Sequence, residues 1–114
     1  MDGFAEELMK ERVKSEGLEF REIVVESKIV GYFLLLKDQL LHLIILDSHR
    51  GNGYGRMAVQ WILSRIKKNK TFSSLKTMAT PNVYLAFEKM GFRTASDEIR
   101  NENLVFKWLS IDIK

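Results

Sequence analysis

The chain contains no cysteine, one proline and two histidines among its 114 residues. Without cysteine there is no disulfide framework, no thiolate chemistry and no cysteine-based metal site, and no metal is expected. The N-terminus carries acidic residues early and lacks the apolar core of about 7–15 residues that marks a signal peptide. The longest apolar stretches, Ile29 to Leu36 and Leu40 to Leu46, are strand-length and separated by Lys37-Asp38-Gln39, well short of the ~20 residues that span a bilayer. These absences predict a cytoplasmic protein with no membrane partner.

What is present suits one domain over residues 1–114. A hydrophobic content of 46% and a charged content of 29% allow a modest core. The net charge of +3 and the isoelectric point near 9.2 are mildly basic. The one dense basic run, Arg65, Lys67, Lys68 and Lys70, falls at the C-terminal end of an expected helix, where the helix dipole favours cations. It reads as a solvated helix end, with contact to the outer part of a nucleotide cofactor as the alternative. No nucleic-acid partner is expected.

The most informative stretch is His49-Arg50-Gly51-Asn52-Gly53-Tyr54-Gly55-Arg56. It joins a nearly continuous apolar strand, Leu40 to Leu46, to an amphipathic helix with Ala58, Trp61, Ile62 and Ile66 on one face. Three glycines in five positions allow positive φ and a close approach of backbone N–H groups to a ligand. The helix start supplies unsatisfied donors and partial positive charge, so the loop is built for an anion such as phosphate. The bland alternative is a tight strand-to-helix turn. The Rossmann fingerprint fails, because Arg56 stands where a third glycine belongs and Lys67 to Lys70 occupy the acidic position. A Walker A loop fails as well, since Gly55 is followed by Arg56-Met57.

What fits is Arg-x-x-Gly-x-Gly, read as Arg50, Gly53 and Gly55. This resembles the pyrophosphate signature of the GNAT superfamily of acyl-CoA-dependent N-acyltransferases. The resemblance extends in order along the chain. Lys28-Ile29-Val30-Gly31-Tyr32 looks like the family's "ivG" strand, and Asn82 to Phe92, ending Glu88-Lys89-Met90-Gly91-Phe92, is similar to its "N..A..fYeklGF" segment. The resemblance implies an α/β (α+β) fold: a mixed, mostly antiparallel sheet flanked by helices. It implies acetyl-CoA as co-substrate and an amine of a small molecule or peptide as acceptor. The cofactor-binding residues it implies are Leu43, Ile44 and Ile45 on the signature strand, Arg50, Gly51, Asn52, Gly53, Tyr54, Gly55 and Arg56 in the loop, and Asn82 and Phe87 in the last helix.

The remaining segments are read by pattern. Phe4, Leu8, Met9 and Val13 recur at helical spacing before Gly17, so residues 4–15 are expected to form an amphipathic helix. Leu18 to Glu26 and Lys28 to Leu36 read as a hairpin about Ser27. Ser74 to Ala79 reads as a strand, Thr80-Pro81 as a helix start, and Leu104 onward as a last strand. The family normally supplies a further strand and helix before the region where this chain begins, so residues 4–15 are expected to serve as the remaining helix of the acceptor wall. The acceptor site is then either unusually open or completed by a second chain, as in a homodimer.

Acyl transfer to an amine needs a base, a polarised thioester carbonyl and a proton for the departing thiolate. His42, on the strand leading to the loop, is the base candidate, against a packing role. His49, Glu22 and Glu26 are weaker alternatives. The family's proton-donating tyrosine is replaced here by Phe87. Tyr84, three residues earlier on the same helix, is the substitute, against packing; otherwise water supplies the proton. The rival to an N-acetyltransferase is a catalytically silent acyl-CoA-binding regulatory module.

Overall fold

The computed structural model describes residues 9–15 and 17–113, with side chains from residue 17 onward. Four strands, β1 (Met9–Ser15), β2 (Leu18–Val25), β3 (Lys28–Leu36) and β4 (Gln39–Ile45), form an antiparallel meander. Helix α1 (Tyr54–Asn69) then crosses over to β5 (Ser74–Ala79), which runs parallel to β4. A 3-10 turn (Pro81–Val83) and the short helix α2 (Tyr84–Lys89) lead to β6 (Arg93–Thr94), β7 (Ile99–Asn101) and β8 (Leu104–Asp112). The strand order is β1-β2-β3-β4-β5-β8-β6, with β7 also paired to β8. This is the mixed, mostly antiparallel sheet that the family resemblance implies.

One expected element is corrected. Residues 9–15 are a strand and not the second half of a helix, paired with β2 from Met9↔Ile23 to Ser15↔Leu18. Gly17, at φ +85°, turns the chain between the two strands instead of stopping a helix. The helical spacing of Phe4, Leu8, Met9 and Val13 is one reading of a stretch whose backbone is satisfied by a neighbouring strand, and the tertiary pairing wins. The expected residues 4–8 lie outside the described residues.

The hairpin between β2 and β3 turns on Glu26 and Ser27, both at positive φ (52° and 66°). Two central residues at positive φ match the right-handed twist of the flanking strands. Directly paired residues share a sheet face, so the register sorts the side chains. Ile23, Phe33, Leu35, Leu75 and Leu109 pack with Ala58, Val59, Ile62 and Ile66 of α1 to make the core. The opposite face presents Phe20, Tyr32, Leu34, Ile44, Met78 and Trp108, and no helix covers it among the described residues. None of the described helices is long and apolar enough to cross a membrane.

A polar clasp fastens α1 to β2 on the covered face. Glu19, 7% exposed, takes both guanidinium nitrogens of Arg65 at 2.6 Å and also binds Arg21. The two guanidinium groups lie 4.8 and 4.5 Å from the Trp61 ring centroid, which places the indole within cation–π range of both. Burial pushes the Glu19 carboxyl up, but the hydrogen bonds and charges of Arg65 and Arg21 outweigh it and leave the pKa lowered. Arg65 is therefore removed from the basic run, leaving Lys67, Lys68 and Lys70 at the helix end.

Candidate functional site: an open strand beside an uncapped helix start

The site begins with β4. Its sequence reads as a strand buried on both faces, yet only Leu40 is buried, while Leu41, Ile44 and Leu46 are 37–41% exposed. Two features account for this. β5 pairs with β4 only at Gln39↔Lys76 and Leu40↔Thr77, so from Leu41 onward the β5 side of β4 has no strand partner among the described residues. The face carrying Ile44 also has no helix over it among the described residues. The two strands are pinned where they part, by the Thr77 hydroxyl donating to the Leu40 carbonyl at 2.8 Å.

A bulge falls at the same place. Leu34 pairs with His42 but Leu35 pairs with Leu40, so Leu41 is the extra residue of β4. The bulge puts His42 and Ile44 on the helix-free face, opposite Leu34 and Tyr32, and leaves Leu43 and Ile45 on the α1 side against the core. His42 is exposed and has no hydrogen-bond or ion-pair partner among the described residues. Gly31 lies across from Ile45, and a Cβ there would sit 2.2 Å from the Ile44 carbonyl oxygen. Only glycine lets β3 and β4 approach this closely, which is the physical content of the "ivG" motif.

The loop after β4 is braced by its own residues. Arg50 Nε donates to the Ile45 carbonyl at 3.3 Å, its Nη2 lies 3.2 Å from Asp47, and Asn52 Nδ2 donates to the His49 carbonyl at 3.0 Å. Gly53, at φ +78°, is the N-cap of α1. No side chain caps this helix and its first turn contains no acidic residue. The first intrahelical bond runs from Met57 N to Gly53 O, so the N–H groups of Tyr54, Gly55 and Arg56 precede any helical partner. A Cβ at Gly51 or Gly53 would meet nothing within 4 Å, so the space over the loop is open.

Gly55 has a different job. A Cβ there would lie 3.3–3.8 Å from Met90 Cε, Ile45 Cγ1 and Leu43 Cδ2, so the glycine seats α1 closely against β4 and the end of α2. Tyr54 packs against the core. Arg56 donates to the Lys89 carbonyl at the end of α2, tying that end to the first turn of α1. Sequence reading does not reveal this link, because its partners are 33 residues apart.

The α2 segment ends in a Schellman motif. Phe92 N donates to Phe87 O at 3.1 Å and Gly91 N to Glu88 O at 3.0 Å, with Gly91 at φ +106°. The accompanying apolar contact is the edge-to-face pair Phe87–Phe92, centroids 5.3 Å apart. Phe87 thus closes the helix end. The helix start expected at Thr80-Pro81 is a 3-10 turn with Thr80 at its N-cap position and Pro81 following; no side chain caps its backbone, and the Thr80 hydroxyl donates to the exposed Asn82 side chain instead.

No hydrogen bond joins Tyr84 to His42 among the described residues. Lys107 Nζ, on β8, lies 4.2 Å from the Tyr84 ring centroid, and the Tyr84 hydroxyl donates to Glu98 at 3.4 Å. Desolvation and the Glu98 carboxylate hold its pKa above the usual phenol value. Glu98 has no signal in the sequence, since a weakly paired loop brings it there.

A family model described as an acetyltransferase (GNAT) domain matches residues 2–111, almost the whole chain. The chain belongs to the GNAT acetyltransferase family. Solved GNAT structures share its fold. An acetyltransferase from Elizabethkingia anophelis with acetyl-CoA bound superposes with a TM-score of 0.66 at 14% identity, over 84% of this chain and 76% of that one. The ribosomal-protein-S18-alanine N-acetyltransferase of Escherichia coli gives 0.72 at 14% identity, over 88% and 72%. A Bacillus subtilis acetyltransferase in complex with CoA gives 0.69 at 16% identity, over 87% and 79%. By sequence, no curated protein matches the chain.

Proposed function

We propose that this GNAT domain transfers an acetyl group from acetyl-CoA to an amine. The observation that carries the reading is the adjacency of two open backbone surfaces: the β5 side of β4 from Leu41 onward, which has no strand partner among the described residues, and the uncapped start of α1 at Gly53. An extended, hydrogen-bonding chain that ends in a diphosphate complements both. The N–H groups of Tyr54, Gly55 and Arg56 receive the pyrophosphate, aided by the helix dipole. The pantetheine arm lies along the free edge of β4 near Leu43 to Ile45. Arg50 and Asn52 hold the loop in shape, and Arg56 with Gly55 fixes it against the end of α2.

In this reading His42 is the base. Imidazole takes a proton from the acceptor ammonium, directly or through water, and the freed amine attacks the thioester carbonyl. The C–S bond breaks, and the thiolate leaves as CoA after protonation. Phe87 has no proton to give, and Tyr84 is turned to Glu98, so water protonates the thiolate unless Tyr84 leaves that partner. GNAT neighbours solved with acetyl-CoA or CoA support the choice of donor.

Calorimetric titration with acetyl-CoA, run beside a thiol-release assay over a broad amine panel, tests the proposal. Binding with turnover supports it. Binding without turnover supports the silent acyl-CoA-binding module, which the Phe87 position favours. No binding ends both.

A further inference from the structure

The helix-free face of the sheet adjoins the gap between β4 and β5, and its composition is unlike a solvated surface. Beside the gap Ile44 pairs with Tyr32, His42 pairs with Leu34, and Phe20 lies 5.4 Å from Tyr32, ring centroid to centroid. Across the gap β5 contributes Met78, 49% exposed, backed by its partner Trp108. Among the described residues the charges on this face are Glu22 on β2, Lys76 on β5, 3.6 Å from Asp38, and the ion pair of Arg93 with Asp112 farther along β8. Apolar side chains gathered on one exposed sheet face beside an open strand edge mark a binding surface.

The proposed base sits within it. His42 shares this face with Leu34, Tyr32 and Ile44, while the phosphate loop lies at the α1 side of the same strand. A thioester held in the gap is therefore open to an amine resting on the helix-free face. We infer that the acceptor is a primary amine carried on an aromatic or branched aliphatic body, which lies against Tyr32, Leu34, Ile44 and Met78 and places its nitrogen at His42. The inference rests on the proposed acetyl transfer. A polycationic acceptor would need several carboxylates around His42, and the described residues that flank it on this face, Leu34, Tyr32 and Ile44, carry no charge. A second copy of the chain seated on this face would bury His42 and close the gap, so a small acceptor is the occupant consistent with catalysis.

The test measures binding of three amines, phenethylamine, propylamine and spermidine, to the acetyl-CoA-saturated and the cofactor-free protein by titration calorimetry. Phenethylamine is expected to bind roughly tenfold or more tightly than propylamine, since the two share the amine and differ in the apolar body. Met78→Glu and Tyr32→Ala should cut that preference to about twofold or less, with acetyl-CoA affinity unchanged as the check on folding. Spermidine binding tighter than phenethylamine, or no discrimination among the amines while acetyl-CoA binds normally, overturns the inference and leaves the transfer reading standing. Absence of acetyl-CoA binding overturns both. A dimer in light scattering that Met78→Glu dissociates also overturns it, because the face then belongs to a second copy.

Discussion

At the scale of single residues, the side chains and backbone groups of the site carry separable functions. His42 is exposed and without a hydrogen-bond or ion-pair partner among the described residues, so its replacement costs the fold little. His42→Ala is expected to lower kcat/KM by the roughly 10²–10⁴-fold typical of a positioned base. Acetyl-CoA affinity should stay within about twofold; an unchanged kcat/KM would reduce His42 to a surface residue. Gly53 offers the complementary experiment. Alanine at φ +78° costs about 1–2 kcal/mol of local strain and puts a methyl group into the open space above the loop. Gly53→Ala should therefore weaken acetyl-CoA binding by about tenfold or more while the protein remains folded by circular dichroism. Tyr84 and Phe87 decide the proton donor. With Tyr84 bound to Glu98, Tyr84→Phe is expected to keep turnover within about threefold, whereas a loss of roughly 10² or more would restore it as the acid.

At the scale of elements, Gly31 and the Glu19 clasp hold the site's scaffold in register. A Cβ at Gly31 collides with the Ile44 carbonyl, so Gly31→Ala must push β4 away from β3. The expected cost is about 2–3 kcal/mol, read as a drop of roughly 8–15 °C in Tm, accompanied by weaker acetyl-CoA binding. For Glu19 the sign follows from its lowered pKa: the folded state holds the carboxylate more strongly than the unfolded chain does. Its contribution is complete above the ordinary carboxylate range, about pH 5, and is lost as pH falls through the lower folded value. Urea unfolding of Glu19→Gln against the parent should show a stability gap that closes below about pH 4; a gap independent of pH would refute the ionic reading. Much of this scaffold was legible in advance. The glycine loop, the β2–β3 hairpin and the Gly91-Phe92 helix stop are local signals, each set by residues a few positions apart. β1 was misread because its identity depends on pairing with β2. The bulge at Leu41 and the early parting of β4 from β5 were not readable for the same reason: both are relations between strands. Arg56–Lys89 and Tyr84–Glu98 bring together positions with no shared pattern.

At the scale of the whole molecule, the sheet separates two environments. One face holds the core and both described helices, and the other, uncovered among the described residues, is a platform running from Phe20 to Trp108. Because the proposed cofactor bridges the part of the sheet where β4 and β5 diverge, it should tie the meander to the β5–β8 pair. Acetyl-CoA at about a hundred times its dissociation constant is expected to add roughly 2.7 kcal/mol to unfolding stability. Hydrogen exchange should slow at residues 41–45 and at the start of α1, and protection confined to other segments would count against the site. The division of faces has a spectroscopic consequence. The chain has two tryptophans. Trp61 is within reach of two guanidinium groups on the covered side, and Trp108 lies beside Met78 on the opposite face. Each indole is thus a native optical probe of one surface. In a Trp61→Phe protein the remaining emission would report events on the platform, while in a Trp108→Phe protein it would follow the clasp that fastens α1 to β2, so occupancy and unfolding could be watched separately without any attached dye.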